Sequence, residues 1–189
     1  IIDLPGTYSL SASSPDEAIA VDVLLGQQVG ADPIDVVVVI ADASNLRRHL
    51  YLLSQILETG HRVVLALNMM DLARERGVHV DIDELSARLG IRIVPLTSHR
   101  GDGIDELIRA VEKTLQEPRS EDAFSSPVPG SLVAAAHDLC QDETHPVNNH
   151  VEALRVLVDA GGHLEERLVE RTNGDITQRL VALREKAAT

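Results

Sequence analysis

Three short segments carry residue types whose spacing suits phosphate and base chemistry. In Asp3-Leu4-Pro5-Gly6 a carboxylate precedes a Pro-Gly turn. An Asp at a strand terminus holds Mg²⁺ through water, and a glycine after it lets its backbone N–H approach a γ-phosphate closely. Chance supplies this spacing often, and a plain Pro-Gly turn after a strand accounts for it as well. In Asn68-Met69-Met70-Asp71 a carboxylate follows the apolar run Val63-Val64-Leu65-Ala66-Leu67. A carboxylate placed there accepts both the N1–H and the exocyclic N2 amine of guanine, a pair of donors that adenine lacks. Asn68 would brace the loop and meet the other edge of the base. An Asn turn with an Asp helix cap is the simpler account of these four residues taken alone. The third segment, Thr97-Ser98-His99-Arg100-Gly101-Asp102-Gly103, has backbone N–H groups suited to guanine O6, with Ser98 and His99 at its centre. A Gly-rich connection is its plain alternative.

The elements that must position these segments are legible in the apolar pattern. Ile34 to Ala41, Arg62 to Leu67 and, more briefly, Ile91 to Leu96 are runs without polar alternation, as in strands covered on both faces of a parallel sheet. Ser14-Pro15-Asp16-Glu17 is a capping box with Pro at the first helical position, opening a helix through about Leu25. A second helix is expected from Asn45 to Glu58, ended by Gly60. Asp81 and Glu84 repeat the capping pattern for a helix that Gly90 closes. Ile104 to Leu115 places Ile104, Leu107, Ile108, Val111 and Leu115 on one helical face. Strand–helix alternation of this kind specifies an α/β domain with right-handed crossovers, whose ligands sit outside the carboxyl ends of the strands.

After residue 117 the texture changes. Residues 118–130 are polar and Pro-rich, a linker. Beyond them Leu132–Cys140, His150–Val158, Leu164–Arg171 and Ile176–Lys186 read as helices with no strand among them. The expected organisation is therefore a partial α/β domain over 1–117, a linker over 118–130 and a small all-helical domain over 131–189.

Composition narrows the function classes. Among 189 residues, 30 acidic side chains against 17 basic ones give a formal net charge of −13, which argues against nucleic acid as a general partner. No apolar run approaches the roughly 18 residues needed to span a bilayer. Cys140 is the only cysteine, so no internal disulfide forms. His137 and Cys140 lie three apart on an expected helix with His145 and His150 nearby, but their spacing matches no zinc pattern, and exposed helix histidines are the simpler account. Arg47, Arg48 and His49 stand at a helix start, where the helix dipole disfavours positive charge.

Taken together, three loops at the ends of successive strands, in this order, resemble the last three signature loops of a translation-factor-type GTPase. Asp3-Leu4-Pro5-Gly6-Thr7-Tyr8-Ser9-Leu10 resembles a segment distinctive of the ferrous iron transport protein B family. So do the run from Asp42 to Leu52, Ala66-Leu67-Asn68-Met69-Met70-Asp71 and Leu85-Ser86-Ala87-Arg88-Leu89-Gly90. The resemblance covers about Ile1 to Leu115, and the helical tail looks more loosely like that family's appended helical domain. It implies a P-loop-GTPase-like fold with a mostly parallel sheet flanked by helices. It implies guanine nucleotide (GTP/GDP) and Mg²⁺ as ligands, with Asp3 meeting Mg²⁺ through water, and Asp3, Gly6, Asn68, Met69, Asp71, Ser98 and His99 around the nucleotide. By the same resemblance the unit is the cytoplasmic domain of a bacterial inner-membrane protein, joined to a membrane-embedded Fe²⁺ permease. GTP binding and hydrolysis would then regulate or drive iron uptake.

Departures from the pattern carry expectations of their own. Met69 stands where many GTPases have a Lys whose stem packs on guanine. Thr7 stands where many have the Gln that orients the attacking water, so hydrolysis without assistance is expected to be slow. No GxxxxGK[ST] segment occurs in the 189 residues, and the phosphate loop is expected upstream of Ile1, the first strands of the fold with it. Without that central strand, Val36-Val37-Val38-Val39-Ile40 is expected to present an unpaired apolar edge and to self-associate. The 189 residues alone are expected neither to bind GTP tightly nor to hydrolyse it. Two function classes stand at this point: a GTP hydrolase coupled to an iron permease, and a non-catalytic guanine-nucleotide sensor docking on a membrane partner.

Overall fold

A computed structural model of the chain describes residues 1–12, 14–27, 33–117, 128–142 and 147–188. In chain order its main elements are α1 (Pro15–Leu24), β1 (Val37–Asp42), α2 (Leu46–Glu58), β2 (Val63–Asn68), α3 (Met70–Glu75), α4 (Ile82–Leu89), β3 (Arg92–Pro95), α5 (Ile104–Gln116), α6 (Gly130–Cys140), α7 (His150–Val158), α8 (His163–Arg171) and α9 (Thr177–Ala187). Contacts divide the chain into two compact units, one made of Ile1–Val29 with Ser126–Thr189, the other of Gly30–Ser125. The segment carrying Asp3 and Gly6 thus belongs to the same unit as the helical tail.

The Gly30–Ser125 unit is built on a parallel three-stranded sheet in the order β1-β2-β3. The central strand β2 is buried along Val63–Leu67, as a run apolar at every position requires when both faces are covered. Val64, Ala66, Val94 and Leu96 form one face of the core, with Leu107, Ala110 and Val111 of α5 packed on it. The edge strand β1 departs from the expectation of two covered faces. Val39 and Ala41 are buried and α2 packs against the strand, but Val38 is 39% and Ile40 66% exposed. The register explains this: Val38 lies beside Val64 and Ile40 beside Ala66, on the face where α5 packs mainly over β2 and β3. Ile104, Ile108 and Leu115 of α5 are also exposed, so the expected apolar face of that helix is only partly used.

Local chemistry sets the helix ends in this unit. Asp81 accepts a hydrogen bond from the Glu84 N–H at 2.9 Å, opening α4, and Gly90 closes it with φ +67°. A 3₁₀ turn, Ala43–Asn45, links β1 to α2, and the Asp42 carboxylate caps it by accepting from the Ser44 N–H at 2.8 Å.

In the other unit, Ser14 caps α1 through the Glu17 N–H at 3.2 Å, with Pro15 at the first helical position. Leu139, Leu168, Ile176, Leu180 and Val21 are buried. Asp22 of α1 is held by His163 at 3.3 Å and by Arg167, both on α8. Arg184 of α9 donates to Glu165 at 2.5 Å and to the Val156 carbonyl at 2.6 Å. The almost fully buried Glu152 accepts from Arg171 at 3.2 Å and from the Asn148 N–H at 2.5 Å. Residues 1–7 form no strand. That corrects the expectation of a strand ending at Asp3: a strand exists only through its ladder, and among the described residues none pairs with this segment. Among the described residues no helix is long and apolar enough to cross a membrane.

Candidate functional site

The carboxyl ends of β2 and β3 lie side by side, with Leu67 level with Pro95, and each strand turns at once into a short helical element. Two backbone hydrogen bonds lock the exits together: the Leu96 N–H donates to the Leu67 carbonyl at 2.7 Å, and the Met70 N–H donates to the Leu96 carbonyl at 3.2 Å. The second bond also satisfies one of the orphan donors at the start of α3.

Asn68 ties the two exits together a second time. Its side-chain carbonyl accepts from the Ser98 N–H at 3.1 Å, and its amide donates to the Ser98 hydroxyl at 2.9 Å. An Asn is one of few side chains able to accept and donate at once in this way. Met69 follows in the left-handed region, with φ 59° and ψ 35°. For a residue bearing a Cβ that conformation costs about 1–2 kcal/mol, and such strain is characteristic of sites where the backbone serves a ligand. Its effect is a sharp turn that starts α3 immediately after β2. Met69 is the residue preceding the first helical turn, with no side-chain cap, and Asp71 lies inside that turn. Asp71 is therefore not the helix cap of the simpler sequence account.

The Asp71 carboxylate is unevenly engaged. Its Oδ2 lies 3.5 Å from His99 Nε2 and 3.9 Å from Arg100 Nη2, while its Oδ1 is buried and has no hydrogen-bond partner among the described residues. A buried carboxylate oxygen without a donor is rare and costs about 1–3 kcal/mol. The arrangement presents an acceptor that a planar pair of N–H donors would satisfy. Ser98 and His99 begin the 3₁₀ turn Ser98–Arg100, which ends at Gly101 with φ +80°. Gly103, with φ +87°, closes the loop against β3, and a Cβ there would stand 2.4 Å from the Pro95 carbonyl oxygen.

Asn68, Met69, Asp71, Ser98 and His99 thus converge in one unit. Asp3, Gly6 and Thr7 belong to the other. Within that second unit Asp3 and Gly6 are exposed, and the Thr7 hydroxyl donates to the Ser9 carbonyl at 2.6 Å while accepting from the Ser9 N–H at 3.3 Å. Two features of the site escaped the reading of the sequence: the left-handed Met69, which no residue-type signal marks, and Arg100. The His99-Arg100 pair, directly after a strand in a loop next to the Asn68–Asp71 segment, was the available signal for the latter. His145, one of the four residues weighed as metal ligands, lies outside the described residues. Among those described, no three His, Cys, Asp or Glu side chains come together to hold a metal ion.

Comparison with known proteins is consistent across sequence and structure. A family profile described as Ferrous iron transport protein B matches residues 1–111. The Fe(2+) transporter FeoB of Escherichia coli (strain K12) is 44% identical over 117 residues, 60% of this chain and 14% of that protein. The Fe(2+) transporter FeoB of Salmonella typhimurium (strain LT2) is 45% identical over the same length and shares. The chain therefore spans only 14% of the length of these relatives. Among solved structures, the cytosolic domain of the T. maritima FeoB iron transporter in its GMPPNP form superposes with a TM-score of 0.71 at 30% identity, over 98% of this chain and 75% of that one. The FeoB G-domain from Methanococcus jannaschii gives a TM-score of 0.57 at 43% identity, over 61% of this chain and 71% of that one. The fold is thus that of P-loop GTPases, a parallel sheet flanked by helices with further helices appended. With the profile matched over more than half of its residues, the chain belongs to the ferrous iron transport protein B family.

Proposed function

We propose that this chain is part of the guanine-nucleotide-binding cytoplasmic domain of a bacterial inner-membrane ferrous iron transporter, and that GTP binding and hydrolysis there regulate or drive Fe²⁺ passage through the permease portion of the same protein. The observation that carries this reading is Asp71: an acceptor buried at Oδ1 without a donor, at the carboxyl end of β2, beside a loop that Asn68 holds in place. Guanine offers N1–H and N2–H₂ in the plane and spacing that a carboxylate accepts, and adenine does not. Asn68 positions the base loop, the Ser98 and His99 backbone meets guanine O6, and Met69 lies against the base. Support also comes from the T. maritima FeoB cytosolic domain, whose structures include GMPPNP and GDP forms.

In this reading Asp3 and Gly6 belong to the γ-phosphate end of the nucleotide. Asp3 is a hard oxygen ligand of the kind Mg²⁺ takes, and Mg²⁺ sites usually use one or two carboxylates with phosphates and water completing the shell. Mg²⁺ would neutralise charge on the phosphates. Thr7 is short, and its hydroxyl is already engaged with Ser9, so it does not orient an attacking water and hydrolysis is slow without a helper. The functional domains run 1–117 for the nucleotide module and 131–189 for the helical one, joined by 118–130.

The test is calorimetric titration of GDP and ADP into this chain and into a longer one that supplies a GxxxxGK[ST] segment upstream. The longer chain is expected to bind GDP and not ADP, and its Asp71→Asn variant is expected to lose GDP affinity by at least about a hundredfold, as removal of a charge-assisted pair implies. Equal binding of both nucleotides would overturn the proposal.

A further inference from the structure

We propose that His99 and Arg100 form a latch on Asp71 that occupies the base-recognition carboxylate when no base is present, and that guanine must displace it to bind. This rests on the reading of Asp71 as the residue that accepts from guanine. The two oxygens of Asp71 are in different situations. Oδ1 is buried and unpartnered, whereas Oδ2 faces His99 Nε2 at 3.5 Å and Arg100 Nη2 at 3.9 Å. A base that donates to both oxygens needs Oδ2 as well as Oδ1, so it competes with these two side chains for the same atom. Both distances exceed those of a usual hydrogen bond, so neither side chain is fixed in place on Oδ2. The side chains of His99 and Arg100 are 58% and 61% exposed, free to swing into water when displaced. An exposed latch of this kind shifts an equilibrium by about twofold to fivefold, enough to tune exchange of a nucleotide without preventing it.

The charged groups concerned are Asp71 from the first turn of α3 and Arg100 from the loop of His99 itself. Among the described residues no other group makes an ion pair with any of the three.

The experiment measures GDP and ADP dissociation constants for the full-length protein, using displacement of a fluorescent GDP analogue. The wild type is compared with Arg100→Ala and His99→Gln. Arg100→Ala is expected to bind GDP about twofold to fivefold more tightly than wild type, and His99→Gln is expected to shift in the same direction. Unchanged or weaker GDP binding by Arg100→Ala would overturn the latch. A wild type without preference for GDP over ADP would overturn the underlying assignment of Asp71 as well, and only that result touches it.

Discussion

The bracing of the two loops by Asn68 can be measured as a coupling energy. Asn68→Ala removes both bonds to Ser98, the 3.1 Å bond from the backbone N–H and the 2.9 Å bond to the hydroxyl. Ser98→Ala removes only the second. Net contributions of about 0.5–1.5 kcal/mol per bond fall in the lower half of that range here, because both bonds are exposed to solvent. Asn68→Ala is therefore expected to destabilise the loop by about 1–2 kcal/mol and Ser98→Ala by about 0.5–1 kcal/mol. The double variant should be no worse than Asn68→Ala alone, since the hydroxyl has already lost its partner. The coupling is then about 0.5–1 kcal/mol, at or above the roughly 0.3–0.5 kcal/mol scatter of independent sites. Two compact units need not unfold together, so a single melting curve is the wrong instrument. Native-state hydrogen exchange of the amides from Thr97 to Gly103 reads the local opening directly. Strictly additive single variants would refute the idea that Asn68 and Ser98 act as one brace.

Three further outcomes follow from the geometry. Gly103→Ala puts a methyl group 2.4 Å from the Pro95 carbonyl oxygen at φ +87°, so a loss of at least about 2 kcal/mol is expected in urea denaturation of the Gly30–Ser125 unit. Glu165 is held below the usual glutamate range, mainly by the Arg184 hydrogen bond and less by the Gly161 N–H, against the opposing effect of burial. A carboxylate whose folded value is depressed contributes stability above its ordinary value near 4.5, and that contribution is lost as pH falls through the folded value. Exchange protection in α7–α9 should therefore drop below about pH 4.5, and Arg184→Gln should flatten that part of the profile; an unchanged profile would remove Arg184 as the cause. Finally, among the described residues β1 has one sheet neighbour, and its Ile40 is exposed, so sedimentation is expected to show self-association of the 189 residues that Ile40→Lys reduces. Identical sedimentation of the two would rule the edge out.

What the sequence made legible follows from which signals are local. The Ser14 and Asp81 caps lie within one turn of chain, and both were readable because the donor and acceptor are three residues apart. The strands were readable because a run such as Val63–Leu67 has no polar position to expose. The same rule misled at β1, where Val38 and Ile40 are as apolar as their neighbours yet open to solvent, because coverage depends on which helix crosses above them. Helix α3 was missed altogether: at six residues it has little periodicity, and its start depends on a left-handed methionine instead of a capping side chain. For the site, residue types pointed to Asn68, Asp71 and Ser98. The orphaned Oδ1 and the contact with Arg100 depend on side-chain placement across β2 and β3, which no spacing encodes.

The division into units has a consequence for the order of assembly. The sheet unit, Gly30–Ser125, is one continuous stretch, whereas the helical unit needs Ile1–Val29 and Ser126–Thr189 at once. On the ribosome the first can condense as it emerges, with its strand exits locked by the Leu67–Leu96 and Asn68–Ser98 bonds. The second must wait for α8, because Asp22 has to find His163 and Arg167 across the whole intervening stretch. Closing so long a loop is slow chiefly because its entropy is lost before any contact is made. The loops carrying Asn68, Asp71 and Ser98 are thus in place before Asp3 and Gly6 acquire a folded neighbourhood, and a chain stalled late in synthesis carries the first without the second.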